Sequence, residues 1–223
     1  MRYQYKHPQI YDFLISFLYS DKLLEKFSET VGKNKTVFDI AAGYGRMSKF
    51  VDKSNLYYGI DLNKKFVEHG QKEGINLELK NIFDALAYKE SDIFILVDLV
   101  HHLTKESLHK LFDLVFSHTK EKVIVIEPAF VNLYSRYGFG GRIVDWFFKK
   151  IDDDGINKIT RWFTEEEYTR LFDNRFGSTL GYSFYLEINK IGKHYFAVFN
   201  KVAHGKLIGE DVKHIFERLV DGK

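Results

Sequence analysis

The sequence predicts one α/β domain with a mostly parallel sheet, helices on both faces of the sheet, and an antiparallel hairpin near the end. Short apolar runs rich in β-branched and aromatic residues alternate with segments of helical pattern, which indicates right-handed βαβ units. A glycine loop follows the first of these runs. The last two runs are separated only by the loop Asn189–Lys193, which is short enough for a hairpin.

The first half of the chain supplies most of the predicted elements. Apolar positions recur at helical spacing from Pro8 to about Phe27 and predict one or two amphipathic helices before the first strand. A further helix is predicted from Thr104, which can cap it, to about Ser117. Segments of helical pattern separate five predicted strands: Thr36–Ile40, Leu56–Ile60, Leu77–Lys80, Ile93–Val97 and Val123–Ile126.

The pattern changes after Pro128. Val131–Phe148 is aromatic and cationic, and Ile151–Gly155 is an acidic turn or loop; we interpret residues from about 129 to 160 as an insertion. A capping box at Thr164–Glu167 predicts a helix, the strands Thr179–Ile188 and Tyr195–Asn200 form the hairpin, and a helix is predicted at Glu210–Val220. We divide the chain into an N-terminal helical cover (1–30), the α/β domain (31–202) and a helical tail (203–223).

Composition excludes several classes of function. A net charge of +2 is too weak to indicate nucleic acid or an anionic membrane as an obligatory partner, although it leaves an RNA substrate open. With no cysteine there is no disulfide, thiolate metal site or thiol nucleophile, and we expect no metal. The apolar runs are far shorter than the roughly 20 residues of a membrane-spanning helix, and the N-terminus lacks a signal-peptide pattern. We therefore expect a cytoplasmic protein.

The most informative segment runs from Asp39 to Gly45, Asp-Ile-Ala-Ala-Gly-Tyr-Gly, at the end of the first predicted strand. Its small residues permit positive φ and let a ligand approach the backbone. A dinucleotide fingerprint would need a small apolar residue where Ser48 stands, and Asp39 would repel a pyrophosphate. A cationic, amino-acid-like ligand fits better. The alternative is a simple glycine turn between strand and helix.

This segment resembles the first motif of the class I S-adenosylmethionine-dependent methyltransferases, with Ala41 where that family usually has glycine. The resemblance implies a Rossmann-like seven-stranded fold, S-adenosylmethionine as cofactor and S-adenosylhomocysteine as product. It also implies that Asp39 and the loop receive the methionine portion of the cofactor. The loop residues concerned are Ala41, Ala42, Gly43, Tyr44 and Gly45.

The ends of the next strands extend the resemblance. Asp61 ends the second strand, where a carboxylate can accept hydrogen bonds from both ribose hydroxyls, and Leu62 follows it. The alternative is that Asp61 caps the next helix, a role that is also open to Asn63. After the third strand, Asn81 replaces the usual acid and can accept from the adenine amino group, while Ile82 can pack on the ring. An ordinary loop asparagine is the alternative.

The fourth and fifth strands end in titratable residues. Val97 and Asp98 should border the crevice, and the following Leu-Val-His-His-Leu resembles small-molecule methyltransferases of the type 11, 12 and 25 groups. His102 or His101 can remove a proton from the acceptor, although one of the pair can instead fix the loop. Glu127 either orients the substrate or is a carboxylate at a strand end whose hydrogen bonds are all made within the protein.

The acceptor is the least determined part of the prediction. An aromatic cover with some cations suits a hydrophobic or acidic small molecule, or is simple helix packing. No Asn-Pro-Pro-Tyr or Asp-Pro-Pro-Tyr motif follows the fourth strand, which disfavours nucleic acid as the substrate. O-, C- and N-methylation stay open, as does a cofactor-binding protein without turnover. The candidate contacts in the cover and the insertion are Tyr11, Tyr134, Arg136 and Trp146.

Overall fold

The computed structural model describes residues 19–129 and 183–202. The helices predicted at Thr164–Glu167 and Glu210–Val220, the insertion, and the start of the N-terminal cover lie outside these residues. Within them, no helix has both the length and the apolar character needed to cross a membrane.

A seven-stranded sheet with the order β3-β2-β1-β4-β5-β7-β6 forms the centre of the described structure. The first five strands are parallel to one another, and β7 is antiparallel to both β5 and β6. This confirms the predicted fold class. The strands are β1 (Thr36–Ile40), β2 (Leu56–Asp61), β3 (Leu77–Leu79), β4 (Ser91–Val97), β5 (Thr119–Pro128), β6 (Ser183–Ile191) and β7 (His194–Val202).

Within residues 19–129 and 183–202, three α-helices flank the sheet, and a polar side chain caps the start of each. They are α1 (Asp21–Val31), α2 (Lys64–Lys72) and α3 (Lys105–His118), capped by Ser20, Asn63 and Thr104. The cap predicted at Thr104 is confirmed, because its side chain accepts from the Ser107 N–H at 3.2 Å. Satisfying these first N–H groups fixes where each helix begins.

Two of the predicted helical connections are shorter than the sequence pattern indicates. The connections after β1 and after β3 contain only the 3₁₀ segments Arg46–Phe50 and Ala85–Ala87. The first ends early because Val51 is extended and Asp52 closes a turn, accepting from the Ser54 N–H at 2.9 Å. Such local side-chain hydrogen bonds compete with continued helix.

The core lies on both faces of the sheet. On one face α1 buries Leu23 and Phe27 against strand residues such as Ile95. On the other face α3 buries Phe112 and its neighbours against residues such as Phe94. Adjacent residues of β4 point to opposite faces, as alternation along a strand requires. Both faces are apolar, so the strand ends are held in fixed positions.

The terminal hairpin is tighter than predicted. Asn189 and Ile191 are paired with β7, so only Gly192 and Lys193 form the turn, rather than the predicted five-residue loop. Gly192 has a φ of 59°, which suits the first position of a two-residue hairpin turn. The pairing places His194 opposite Pro128, at the edge where the parallel strands end.

Candidate functional site

The loop after β1 has the backbone geometry that its small residues predict. Ala41, Gly43 and Gly45 have φ values of 59°, 60° and 81°. Ala41 is the position where the resembled family usually has glycine, and an L-residue in this region costs about 1–2 kcal/mol. The loop also packs closely on β2, because a Cβ added to Gly59 would lie 2.6 Å from the Cβ of Ala42. The loop is therefore a tight, strained turn at the sheet edge.

Asp39 lies beneath this loop and is almost completely buried. Its Oδ2 accepts a hydrogen bond of 2.5 Å from the Tyr57 hydroxyl. Burial raises the pKa of Asp39 to about 8; the hydrogen bond from Tyr57 opposes this shift, and the nearby charge of Asp61 adds to it. Burial also raises the pKa of Tyr57 well above its ordinary value. Asp39 can therefore exchange a proton near neutral pH.

The sequence did not predict Tyr57 as a member of the site. Gly59, two residues later, is paired with Asp39 in the parallel register, and a glycine inside a strand marks a close approach of other atoms. That glycine was the available signal that β2 is packed tightly on the acid. No feature of the sequence indicated the hydroxyl itself.

Asp61 joins the loop to the start of α2. Its Oδ2 accepts from the Gly43 N–H at 2.8 Å and its Oδ1 from the Asn63 N–H at 2.6 Å. The cap of α2 is Asn63, whose side chain accepts from the Lys65 N–H at 3.1 Å. Asp61 is half-buried. Because each carboxylate oxygen accepts more than one hydrogen bond, Asp61 can still receive the two hydroxyls of a ribose.

Apolar side chains lie beside Asp61 at the ends of β2 and β3. Leu62 and Leu79 are both 47% exposed, which is unusual for large apolar residues next to a polar strand end. Ile82 is half-buried, and its carbonyl accepts from the Tyr88 hydroxyl at 2.7 Å. Asn81 is exposed, and its Oδ1 accepts from the Phe83 N–H at 2.9 Å. This surface has the character that a flat heteroaromatic ring requires.

Tyr44 and Val97 flank the site in different ways. The Tyr44 side chain is buried and packs edge-on against Phe66 of α2, with the ring centroids 5.9 Å apart. The cofactor contact predicted for Tyr44 therefore concerns its backbone. Val97 is half-buried at the end of β4.

Glu127 and His101 form a buried pair at the ends of β4 and β5. Each residue is 1% exposed, and His101 Nδ1 lies 2.7 Å from Glu127 Oε2. The other oxygen of Glu127 accepts from the N–H groups of Leu99 and Val100 at 2.8 and 2.6 Å, and Oε2 also meets the His101 N–H at 3.3 Å. Glu127 thus holds the turn after β4 in place, instead of pointing into the crevice.

His102 and Asp98 occupy the two ends of the same turn. His102 is half-buried, and its ring centroid lies 4.1 Å from that of His101. Asp98 has a φ of 52°, and its N–H donates to the Ile126 carbonyl at 2.9 Å. Its Oδ2 accepts a hydrogen bond from the Tyr19 hydroxyl. The turn is fixed from both sides, by β5 and by Tyr19, which lies two positions before the first residue of α1.

Four of the predicted substrate residues, Tyr11, Tyr134, Arg136 and Trp146, lie outside the described residues. Over 19–129 and 183–202, no group of three or more histidines and acids is placed to hold a metal ion. The structure brings together Asp39, the glycine loop and Asp61 at one edge. It places the pair of histidines at the neighbouring strand end.

Comparison with known proteins identifies the class of fold. No protein-family model and no curated protein matches the chain. Solved structures of methyltransferases do match it, and the chain has their Rossmann-like fold.

Three solved structures illustrate the similarity. An S-adenosylmethionine-dependent methyltransferase from Clostridium acetobutylicum is 16% identical with a TM-score of 0.60; the match covers 87% of this chain and 97% of that one. A candidate O-methyltransferase from Nostoc punctiforme is 17% identical with a TM-score of 0.59, covering 81% of this chain and 56% of that one. Human N-acetylserotonin methyltransferase in complex with S-adenosylmethionine is 16% identical with a TM-score of 0.58, covering 87% and 55%. The chain thus spans little more than half the length of the last two.

Proposed function

We propose that this protein is an S-adenosylmethionine-dependent methyltransferase that acts on a small-molecule acceptor and releases S-adenosylhomocysteine. The observation that carries the proposal is the meeting of Asp39, the glycine loop and Asp61 at the carboxyl ends of β1 and β2, in a methyltransferase fold. In open α/β sheets, ligands bind in the crevice beyond these strand ends. The similar human enzyme holds this cofactor.

Each part of the cofactor has a matching group in the chain. Asp61 accepts the ribose hydroxyls, and Leu62, Asn81 and Ile82 surround the adenine. Asp39 faces the amino-acid portion, and Val97 and Asp98 border it on the β4 side. The loop backbone that completes this portion of the site belongs to Ala41, Ala42, Gly43, Tyr44 and Gly45.

Asp39 gives cofactor binding an electrostatic component. The cofactor carries an ammonium group, and a nearby cation favours the ionised form of a carboxyl. Because burial raises the pKa of Asp39 to about 8, much of this carboxyl is protonated at neutral pH before the cation arrives. Binding therefore draws the proton from Asp39, while Tyr57 continues to donate to the same oxygen.

Methyl transfer needs an acceptor held in line with the methyl group and, for some acceptors, a base. The cofactor supplies a methyl group activated by its sulfonium. A carboxylate accepts hydrogen bonds only, so Glu127 places the proton of His101 on Nδ1 and leaves Nε2 as the basic nitrogen. We assign proton removal to His102 or His101 for a hydroxyl or carbon-acid acceptor; a carboxylate or amine needs positioning alone.

The acceptor contacts proposed for Tyr11, Tyr134, Arg136 and Trp146 suit a hydrophobic or acidic compound. Glu127 acts through the turn that it holds. Its effect on the acceptor is therefore indirect, through the placement of the two histidines.

Calorimetric titration of the purified chain with S-adenosylmethionine and S-adenosylhomocysteine tests the proposal. We expect micromolar binding of both and none of NADH. Asp61→Asn should weaken both by about 10- to 100-fold, because hydrogen bonds to a charged acceptor contribute about 1.5–3 kcal/mol. Asp92→Asn is the matched control. Asp92 also accepts a hydrogen bond from a backbone N–H, that of Thr36, at 2.8 Å. It lies at the amino end of β4, whereas the proposed cofactor site lies at the carboxyl ends of the strands.

Equal affinity of the wild type and Asp61→Asn, or preference for NADH, contradicts the proposal. Transfer of a radiolabelled methyl group across acceptors that carry hydroxyl, carboxyl or amino groups then separates an enzyme from a cofactor-binding protein without turnover. Turnover that falls in His101→Gln or His102→Gln, while cofactor affinity is kept, identifies the base.

A further inference from the structure

A buried histidine at the carboxyl edge of the sheet lies outside the proposed cofactor site. His194 is the first residue of β7 and pairs with Pro128 of β5. Because β7 is antiparallel to β5, its first residue lies where the parallel strands end. His194 is 1% exposed. Neither of its ring nitrogens has a hydrogen-bond partner in the described part of the chain.

This histidine costs stability where an apolar residue would not. Burial lowers the pKa of His194 to about 4, so the ring is neutral at pH 7, with one N–H donor and one acceptor nitrogen. Buried polar groups are nearly always paired, and an unpaired one loses its hydration without compensation. The next residues on the same face of β7, Phe196 and Val198, are ordinary apolar core. The imidazole therefore indicates a ligand.

Residues from three other elements surround His194. The ring of Tyr19, just before α1, lies 4.6 Å from that of His194, measured between centroids. The Tyr19 hydroxyl donates to Asp98 at the end of β4. The guanidinium of Arg46, which follows the glycine loop, lies 4.4 Å from the centre of the Tyr19 ring. We call His194, Tyr19, Arg46 and Asp98 the β7-edge cluster.

The position of the β7-edge cluster favours the acceptor over the nucleoside. In the sheet order, β2 with Asp61 lies on one side of β1, whereas β4, β5 and β7 lie on the other. The cluster is thus across the glycine loop from the residue proposed to bind ribose. It lies on the side where His101 and His102 end the turn after β4.

The chemistry of the cluster favours an uncharged hydroxyl. Arg46 and Lys193 bring positive charge towards His194, and Glu127 brings negative charge. Asp98, linked through Tyr19, is a second acid, so two cations face two acids. A hydroxyl both donates and accepts, which complements the neutral imidazole, whereas a carboxylate would leave the acceptor nitrogen unmatched. The Tyr19 ring provides an aromatic wall for the group that bears the hydroxyl.

We propose that His194 binds a hydroxyl group of the methyl acceptor, and that the acceptor is a phenol-type compound. The inference rests on the proposed methyltransferase function and extends it to a substrate class and a specificity-determining residue. Because His194 is covered, binding requires Tyr19 to move aside and to release Asp98. The hydroxyl of a phenolic ligand can then reach the imidazole of His194, while the displaced Tyr19 ring packs against the ring of the ligand.

Nuclear magnetic resonance of the full chain with ¹⁵N-labelled histidine tests this inference, with phenol as the probe in the presence of S-adenosylhomocysteine. We expect phenol to shift both ring nitrogens of His194, and toluene, which lacks the hydroxyl, to leave them unchanged. His194→Phe should bind phenol at least tenfold more weakly and unfold at a higher temperature than the wild type. His118→Phe is the control, because His118 has a partner in the Leu114 carbonyl at 2.8 Å.

If the ¹⁵N chemical shifts of the His194 ring do not change on addition of phenol, the inference is overturned. This is the result expected if a bound water pairs with the imidazole instead. Equal shifts with toluene, or phenol affinity in His194→Phe within twofold of the wild type, also overturn the inference. Titration of the wild type and of His194→Phe with S-adenosylmethionine separates failure of the His194 proposal from failure of the proposed methyltransferase function. If His194→Phe binds the cofactor as tightly as the wild type does, failure of the phenol experiment leaves the proposed function standing. If the wild type itself does not bind the cofactor, the proposed function is refuted.

Discussion

Glu127→Gln tests whether the buried carboxylate holds the turn that carries the two histidines. In the wild type one oxygen receives the N–H groups of Leu99 and Val100, and the other receives His101 through both its ring and its backbone. Glutamine keeps an oxygen for the first two donors. It presents an amide N–H₂ to His101, so the charge-assisted bond at 2.7 Å and the weaker one at 3.3 Å are lost.

The size of the effect follows from these bonds. A hydrogen bond to a charged group contributes about 1.5–3 kcal/mol, and a donor left unpaired in the interior loses its hydration as well. The amide recovers part of this by donating to Nδ1, which moves the imidazole proton to Nε2. We expect a net loss of about 2–3 kcal/mol, or about 4–12 °C in the midpoint of thermal unfolding for a chain of this length.

Urea unfolding gives the free energy, and ¹⁵N spectra of labelled histidine give the tautomer of His101. The matched control is Glu121→Gln. Glu121 lies on β5, the same strand as Glu127, but forms a partly exposed ion pair with Lys35 at 2.5 Å. That change should cost no more than about 1 kcal/mol. A loss below about 0.5 kcal/mol in Glu127→Gln, or an unchanged tautomer, would refute the assignment of Glu127 as the residue that holds this turn.

Two further predictions concern the glycine loop. The folded-state pKa of Asp39, about 8, exceeds its ordinary value of 3.8, so the folded state keeps a proton that the unfolded state releases between pH 4 and 8. As the pH rises through this range, the wild type should lose up to about 1.4 kcal/mol of stability per pH unit. Urea unfolding at pH 5 and 7 should show a smaller loss in Asp39→Asn; equal losses contradict the buried protonated acid. Gly59→Ala should cost about 1–3 kcal/mol, because its Cβ would lie 2.6 Å from that of Ala42. Ala42→Gly should restore much of this loss in thermal unfolding, and a stable single variant would refute the close packing.

Local pattern predicted most of the fold. All seven strands were predicted close to their observed positions, because β-branched and aromatic runs bounded by turn residues are local signals. The lengths of the connections were less predictable. The segment after Gly45 is only a 3₁₀ turn because the side chain of Asp52 closes a competing turn. The helical spacing of apolar residues carries no information about such a side-chain hydrogen bond.

The candidate site was predictable where it lies along one strand end and not where distant segments meet. Asp39 and Asp61 lie at the carboxyl ends of β1 and β2, and the loop follows β1 directly, so their convergence follows from parallel pairing. Glu127 follows His101 by 26 positions, and its hydrogen bonds depend on the register of β4 with β5. The burial of His194 depends on Tyr19, which is 175 positions earlier in the chain. No local pattern contains that contact.

The central claim is that the carboxyl ends of β1 and β2 bind a nucleoside with an amino-acid tail. A crystal structure of the chain with S-adenosylhomocysteine tests it most directly. We predict both ribose hydroxyls within hydrogen-bonding distance of Asp61, the adenine beside Leu62 and Ile82, and the amino group on the Asp39 side of the glycine loop. A nucleoside bound elsewhere, or a crevice without the ligand at saturating concentration, would contradict the account.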